Sequence, residues 1–348
     1  MRKTLYKIHK YAGLTLGFIL FLVALSGVMI TFRQELLPVI YPKFRVTPTE
    51  RKAPLETIVR NAATYLKGLE IHQIYATPVP DSSYLMLYEK KPKALPTIVA
   101  INQYTGGIQG EMNLVQNIFA IMLYFHSNFF LGKAGTWAVG FTGALLVFFI
   151  VSGIIVWLPK KNYAEKISRT LKVKWTSQSL HHFLGVILAV PLFISAVSGF
   201  ITVFDIPGRN RPDEIKPAGS CTLEEQISAL SFMNAEQQDK MISVHFCHEG
   251  TGIMKLSWSH SEMTSMAHFS RIIVNPVSKE IIQKFDSEKD PAEWNMKRQF
   301  FYPLHTGEII GMPGRLIVLI GGLGLMALFL SGLTLYRRRK KNVVIPAT

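Results

Sequence analysis

The chain has 348 residues, 49% of them hydrophobic, and a formal net charge of +15. So apolar a composition excludes an ordinary soluble protein of this length. A large positive charge can indicate nucleic-acid binding, but here most of it lies in residues 2–10, 160–174 and 337–341. Each of these segments flanks an apolar run, so we interpret them as signals of membrane topology and not as a nucleic-acid surface.

Four runs without Asp, Glu, Lys or Arg predict transmembrane helices. They cover residues 11–32, 136–158, 183–204 and 316–336. Each is long enough to cross about 30 Å of hydrocarbon as a helix. Four spans place all three basic segments on one side, which the positive-inside rule makes the cytoplasm. The start of the chain resembles the basic region of a signal peptide, but its apolar run is longer than such peptides have, so we predict a permanent span.

An internal duplication relates the two halves of the chain. Both halves begin on the same side of the membrane, which predicts a parallel repeat with a pseudo-twofold axis along the membrane normal. Equivalent residues would then face each other at the same depth. At offsets of 172 and 179 residues, the matching residues are His9 and His181, Gly13 and Gly185, Ser26–Gly27 and Ser198–Gly199, His126 and His305, and Ser152–Gly153 and Ser331–Gly332.

The segments between the spans predict a helix followed by an antiparallel sheet in each half. The helices are predicted from PLETIVRNAATYL in the first half and TLEEQISAL in the second. The strands are predicted from IHQIYATP, SYLMLYE and TIVAINQ in the first half, and from MISVHFC, GIMKLSW and SRIIVNP in the second. The predicted fold class is therefore an α-helical membrane protein of four transmembrane helices in tandem duplication, with two small extracytoplasmic α+β modules.

The duplication divides the chain into nine segments. The modules cover 33–112 and 205–290, and each is followed by an interfacial helix that contains a repeated histidine. In chain order the segments are 1–32 (N-terminus and first span), 33–112, 113–135 (helix with His126), 136–158 (second span), 159–182 (cytoplasmic loop), 183–204 (third span), 205–290, 291–315 (helix with His305) and 316–348 (fourth span and basic tail).

Four histidines form two symmetry pairs at the membrane boundaries, where ionisable groups indicate function. His9 and His181 precede the first and third spans, and His126 and His305 lie about ten residues before the second and fourth. Two facing imidazoles suit a proton relay, a metal or a haem. Structural zinc takes four protein ligands, whereas a six-coordinate haem iron takes two, and therefore we predict a haem between each pair.

Gly13 and Gly185 lie one helical turn from His9 and His181, on the same face, and would leave room for a flat macrocycle. Close helix packing is the alternative for these glycines, and it is the role we assign to the Ser–Gly pair in every span. His182 is an alternative to His181, about 100° around the helix; the repeat favours His181. We predict surface or packing roles for the remaining histidines, which are His72, His245, His248, His260 and His268.

The two cysteines, Cys221 and Cys247, lie in the second extracytoplasmic segment. A disulfide is consistent with an oxidising compartment, and two unpaired small residues fit the spacing equally well.

Arg298 and Arg315 are possible partners for haem propionates. Pro191 is a site for a kink in the third span, with no counterpart in the first.

Three stretches of the sequence resemble the signature of PepSY-associated transmembrane proteins. They are HKYAGLTLGFILFLVALSG, HHFLGVILAVPLFISAVSG and LHTGEIIGMPGRLIVLIGGLGLMALFLSG. AINQYTGGIQGE and IVNPVSKEIIQ resemble the ends of PepSY domains. Among such proteins, the chain resembles bacterial inner-membrane siderophore reductases, such as the ferrioxamine reductase.

This resemblance implies two haems b, one held by His9 and His181 on the cytoplasmic side and one by His126 and His305 on the periplasmic side. It implies electron transfer across the inner membrane to a periplasmic ferric siderophore, which releases Fe(II), with both termini cytoplasmic. The sequence has no nucleotide-binding motif, so a separate electron donor is expected. The alternatives are a non-enzymatic membrane module that binds a protein or senses a ligand, and a transporter with a proton path.

Overall fold

The computed structural model describes residues 1–77, 79–90, 96–159, 161–172, 176–204, 219–247, 252–260, 269–286 and 300–344. The chain forms two compact units. The helical unit contains Met1–Thr31, Met122–Ile206 and Phe300–Thr348, and the sheet unit contains Phe32–Ile121 and Pro207–Gln299. The predicted spans and the repeated histidines therefore belong to one unit, and the two predicted extracytoplasmic modules belong largely to the other.

The secondary structure follows the duplicated order predicted above. The helices are α1 (Arg2–Thr31), α2 (Arg33–Ile40), α3 (Leu55–Leu66), α4 (Ile118–Asn128), α5 (Gly132–Trp157), α6 (Tyr163–Leu171), α7 (Ser177–Ile187), α8 (Ala189–Val203), α9 (Leu223–Ala229), α10 (Ala235–Asp239), α11 (Tyr302–Thr306) and α12 (Met312–Val344). The strands are β1 (Gln73–Tyr75), β2 (Tyr84–Tyr88), β3 (Thr97–Ile101), β4 (Ile108–Asn113), β5 (Met241–His245), β6 (Met254–Ser259), β7 (Phe269–Asn275) and β8 (Glu280–Asp286).

Three helices of the described chain are long and apolar enough to cross a membrane: α1, α5 and α12. The third predicted span is instead a pair of helices, α7 and α8, that meet at Leu188 with a bend of 59°. Pro191 explains the break, because proline cannot donate to the carbonyl four residues earlier and its ring clashes with that carbonyl. The carbonyl belongs to Ile187, where α7 ends.

The long helices pack around a small apolar centre. Helix α1 contacts α5 and α12, α5 contacts α8, and α12 contacts α7. Leu20, Leu146 and Ala196 are buried at the centre of these contacts. Large apolar side chains such as Phe141 and Ile320 are more than half exposed on the outside. This inverted arrangement is that of helices that face lipid.

The sheet unit contains one continuous antiparallel sheet, in the order β4-β3-β2-β1-β5-β6-β7-β8. The sequence predicted a sheet in each module but not that the two sheets join. Strand β1 pairs with β5, and Ile74 lies opposite Val244. Each half-sheet would otherwise expose an edge with unpaired backbone groups, and joining the two edges removes both.

The duplicated helices α3 and α9 lie over the joined sheet and are linked to each other. The main core of this unit includes Ile58 and Val59 of α3 and Ile227 of α9. Arg60 of α3 donates two hydrogen bonds to the carboxylate of Glu224, in the first turn of α9, at 2.6 and 2.8 Å. This bidentate geometry fixes the register of the two helices as well as adding an ionic contact.

The described residues of both predicted interfacial segments contain a helix. In the first, α4 ends at Asn128 and α5 begins at Gly132. In the second, residues 291–299 lie outside the described residues, and α11 provides the single helical turn that carries His305.

Cys221 and Cys247 form a disulfide, which decides between the two alternatives for this pair. The bond links the segment before α9 to the segment after β5 and closes a loop with a sequence separation of 26. Closing a loop of this length with a disulfide stabilises the folded state by about 3 kcal/mol.

We expect the double variant Cys221→Ala/Cys247→Ala to lower the free energy of unfolding of the sheet unit by about 3 kcal/mol, because the unfolded chain regains the entropy of the open loop. Chemical denaturation with and without reductant measures this. The reductant should destabilise the wild type by a similar amount and leave the variant unchanged. Equal stability of all four samples would contradict the prediction.

Candidate functional site: two histidine pairs

The structure brings the repeated histidines together in the two predicted pairs. The rings of His126 and His305 have centroids 6.1 Å apart and planes inclined by 38°. His9 and His181 line one cavity of about 250 Å³. We call His9 and His181 the first pair, and His126 and His305 the second pair. Each pair takes one imidazole from each half of the chain.

Each of the four imidazoles rests on the Ser–Gly pair of a neighbouring helix, which we call its Ser–Gly seat. In every seat the ring lies over the glycine, and its Nδ1 faces the serine hydroxyl or the carbonyl three residues before that serine. The seats are Ser152–Gly153 of α5 for His9, Ser26–Gly27 of α1 for His126, Ser331–Gly332 of α12 for His181, and Ser198–Gly199 of α8 for His305.

In three seats a backbone carbonyl faces the ring nitrogen. Nδ1 lies 2.9 Å from Val23 O in His126, 3.0 Å from Leu328 O in His181 and 2.9 Å from Ser195 O in His305. A carbonyl can only accept a hydrogen bond, so Nδ1 carries the proton in these three imidazoles. In the neutral ring, Nε2 is then the nitrogen with a free lone pair.

The seat of His9 reaches the same result through a hydroxyl. Its Nδ1 lies 2.7 Å from Ser152 Oγ, and that hydroxyl donates its own proton to Phe149 O at 3.3 Å. The serine therefore accepts from Nδ1–H, and Nε2 of His9 is again the basic nitrogen. In histidines that bind metals, a hydrogen bond at the ring nitrogen that does not bind the metal orients the ring and fixes its tautomer.

The seat glycines let the rings lie against the helix backbone. An added Cβ would come within 3.0 Å of the His126 ring at Gly27, 3.2 Å of the His9 ring at Gly153 and 2.8 Å of the His305 ring at Gly199. At Gly332 the distance to the His181 ring would be 3.5 Å, an ordinary contact. Three of the four rings would thus be displaced by any larger residue.

The role predicted for the Ser–Gly pairs was therefore wrong in part. They do allow close approach, but what approaches is an imidazole rather than only a neighbouring helix. The four seat serines are also buried, with exposures of 1 to 6%. The sequence held one signal of this role: it has a Ser–Gly pair for every repeated histidine, at the same two offsets.

The cavity of the first pair is mostly apolar. Gly13, Gly17 and Gly185 line it, as predicted for the first and last of these. An added Cβ at Gly13 or at Gly185 would meet a single side chain, 3.8 Å away in each case. The polar lining residues are Tyr6, His9, Lys10, Gln178, His181, His182 and Tyr336. A glycine-lined apolar slot with two basic imidazole nitrogens suits a flat apolar ligand with a metal centre.

His182 also lines this cavity, so the structure places both alternatives for the second ligand at the site. The two differ in their support. His181 occupies a Ser–Gly seat like those of His126 and His305, with Leu328 O and Ser331 Oγ as partners. The seat therefore favours the histidine that the repeat selected.

Three other described histidines, His72, His245 and His260, belong to the sheet unit. His245 of β5 bonds Gln73 across the junction of the half-sheets at 2.7 Å. His260 bonds Ser270 at 2.7 Å, and His72 precedes β1. These positions agree with packing roles. His248, His268 and Arg298 lie outside the described residues, and Arg315 donates to Thr31 O at 2.7 Å inside the helical unit.

Each pair offers two imidazoles, the number of protein ligands that a six-coordinate haem iron takes. Among the described residues, no group of three or more His, Cys, Asp or Glu could hold a metal ion. Two imidazoles on opposite sides of one metal, with metal–nitrogen distances of about 2 Å, have ring centroids about 6 Å apart. The 6.1 Å separation of the second pair satisfies this condition.

The apolar helices and the seated histidine pairs define a multi-pass membrane protein with a site inside its helical unit. The PepSY-associated TM region family matches residues 6–339, nearly the whole chain, and the protein belongs to this family. No individual curated protein matches the chain. The resemblance identified from the three signature stretches is thus confirmed at the level of the family.

Proposed function

We propose that the protein is a four-span, dihaem b-type reductase that carries electrons across the inner membrane to a periplasmic ferric siderophore. The observation that carries the proposal is the seating of the imidazoles, which in all four leaves Nε2 as the basic nitrogen. A bis-imidazole haem supplies reversible one-electron storage when bound.

The residues of the chain would hold the two cofactors in place. His9 and His181 would be the ligands for the first haem, and Gly13 and Gly185, which line the same cavity, would leave room for it. His126 and His305 would be the ligands for the second. The seats would hold each imidazole with Nδ1 protonated, and a hydrogen bond there raises the basicity of the ligand nitrogen.

Charge and the disulfide support the proposed orientation. The basic segments favour an arrangement with both termini and the first pair towards the cytoplasm. The disulfide of the sheet unit fits an oxidising compartment such as the periplasm. Electrons would enter at the first pair from a separate donor, cross the bilayer to the second pair and leave on the periplasmic side.

The last step is an electron transfer to bound Fe(III). One electron leaves the reduced protein, Fe(III) in the siderophore becomes Fe(II), and no bond to the protein forms. Hard oxygen-rich ligands hold Fe(II) less firmly than Fe(III), so the iron is released.

The test begins with the purified protein, produced with ample haem supply. A reduced-minus-oxidised spectrum should show b-type, low-spin haem, and quantitation should give two per chain. Protein that stays free of haem would refute the proposal and favour the non-enzymatic PepSY module.

The acceptor is tested separately by mixing the reduced protein with ferric siderophores in the presence of a chelator that traps Fe(II). Oxidation of the haem with matching formation of trapped Fe(II) is expected. The same siderophores loaded with Ga(III), which cannot be reduced under these conditions, are the matched control. Haem oxidation that is equal with Ga(III) and Fe(III) would refute the siderophore as acceptor.

A further inference from the structure

Helix α6 carries an exposed apolar face directly after a membrane span. It covers Tyr163–Leu171, and its side chains at positions i, i+4 and i+8 share one face. Tyr163, Ile167 and Leu171 are 54, 44 and 50% exposed. Such a face on a short polar helix is the pattern of a helix that lies in a membrane interface.

The structure fixes α6 at the end of span α5. Helix α5 ends at Trp157, and the indole N–H of this residue donates to Thr170 Oγ1 of α6 at 3.1 Å. Thr170 is only 7% exposed, so the side of α6 that carries Thr170 packs on the rest of the helical unit. Tryptophan at the end of a span marks the level of the lipid headgroups, which places α6 at the same level.

The charge around this face is positive. Lys161, Lys166, Arg169 and Lys172 flank or belong to α6, against one acid, Glu165. Glu165 is paired with Arg169 at 2.8 Å, which leaves the lysines as the excess charge. Lysines near a membrane surface are attracted to anionic lipid headgroups.

We propose that α6 lies in the plane of the membrane and docks the face formed by Tyr163, Ile167 and Leu171 on an anionic lipid surface. The lipid covers the apolar face, and the lysines contact its headgroups. This inference uses no haem and stands independently of the proposed function.

The position of α6 links this docking to the candidate site. Helix α6 contacts α7, which carries Gln178, His181 and His182 into the cavity of the first pair. Lipid contact at α6 would therefore hold the start of α7 at a fixed depth.

The test uses the full chain in nanodiscs. Cys221 and Cys247 are joined, so a single introduced cysteine can be labelled selectively. Ile167→Cys carries an environment-sensitive fluorophore, and Ser168→Cys, about 100° around the helix, is the matched control. We expect a blue shift and quenching by spin-labelled lipids for position 167 and a much weaker effect for position 168.

Lipid composition and charge complete the test. Quenching at position 167 should be stronger with phosphatidylglycerol than with phosphatidylcholine alone, and Lys166→Glu/Lys172→Glu should abolish this difference. A label at position 167 that stays in water would overturn the proposal. So would a label that is shielded but not quenched by lipid, because a protein surface would then cover the face.

Discussion

Replacing His126 with alanine is expected to remove one of the two proposed haems and to leave the other in place. The second pair loses one axial ligand, whereas the first pair keeps both of its histidines and both of their seats. Haem content should fall from two to about one per chain, since a haem in this site depends on both axial ligands. Quantitation of bound haem and the low-spin signal of the remaining haem measure the result.

Two controls separate this outcome from damage to the fold. His260→Ala removes a histidine of the sheet unit that bonds Ser270, and should leave both haems in place. Addition of imidazole to His126→Gly should restore the missing low-spin signal, because the free ligand can occupy the emptied place. Retention of both haems in folded His126→Ala would rule out this residue as a ligand.

Replacing Gly185 with leucine should exclude the first haem and keep the second. The residue lines the cavity, and an added Cβ would meet only Leu328, at 3.8 Å. The larger side chain therefore enters open space instead of a packed core, so the protein should fold. The same space is where the plane of the macrocycle would lie, and loss of about one haem per chain is expected.

The matched control for this experiment is Ile187→Phe on the same helix. Ile187 is 48% exposed on the surface of α7, so a larger apolar side chain there should leave haem binding unchanged. Gly185→Ala should have an intermediate effect. If Gly185→Leu keeps both haems with unchanged spectra, the cavity of the first pair is not the haem site.

Much of the site could be predicted because duplication converts single residues into pairs. The offsets of 172 and 179 residues selected His9, His181, His126 and His305 without any knowledge of distances. The same offsets would have favoured His181 over His182 even before its seat was known. Position relative to the apolar runs then placed the pairs at different depths.

The seats could not be predicted in the same way. His126 and Ser26 are separated by 100 residues, and only the packing of α4 against α1 brings the ring to the hydroxyl. A Ser–Gly pair inside an apolar helix is most often a packing feature, so its local sequence favours that interpretation. The contact depends on the direction of the helix that carries the histidine, and the local sequence does not give that direction.

The joined sheet and the broken span depended on other long-range contacts. The pairing of Ile74 with Val244 connects segments that no local pattern relates. Pro191 marked the break in the third span, but its effect falls on the carbonyl of Ile187, four residues earlier. The site of a kink could therefore be predicted, whereas its angle depends on what packs around it.

Each half of the chain builds its own seats. Helix α5 seats His9 and α1 seats His126 within the first half, and α12 and α8 seat His181 and His305 within the second. A single half would thus orient two imidazoles but complete neither pair, and two separate halves would have to find each other in the membrane. Joining them in one polypeptide makes that encounter intramolecular, so completion of both pairs no longer depends on how much protein the membrane contains.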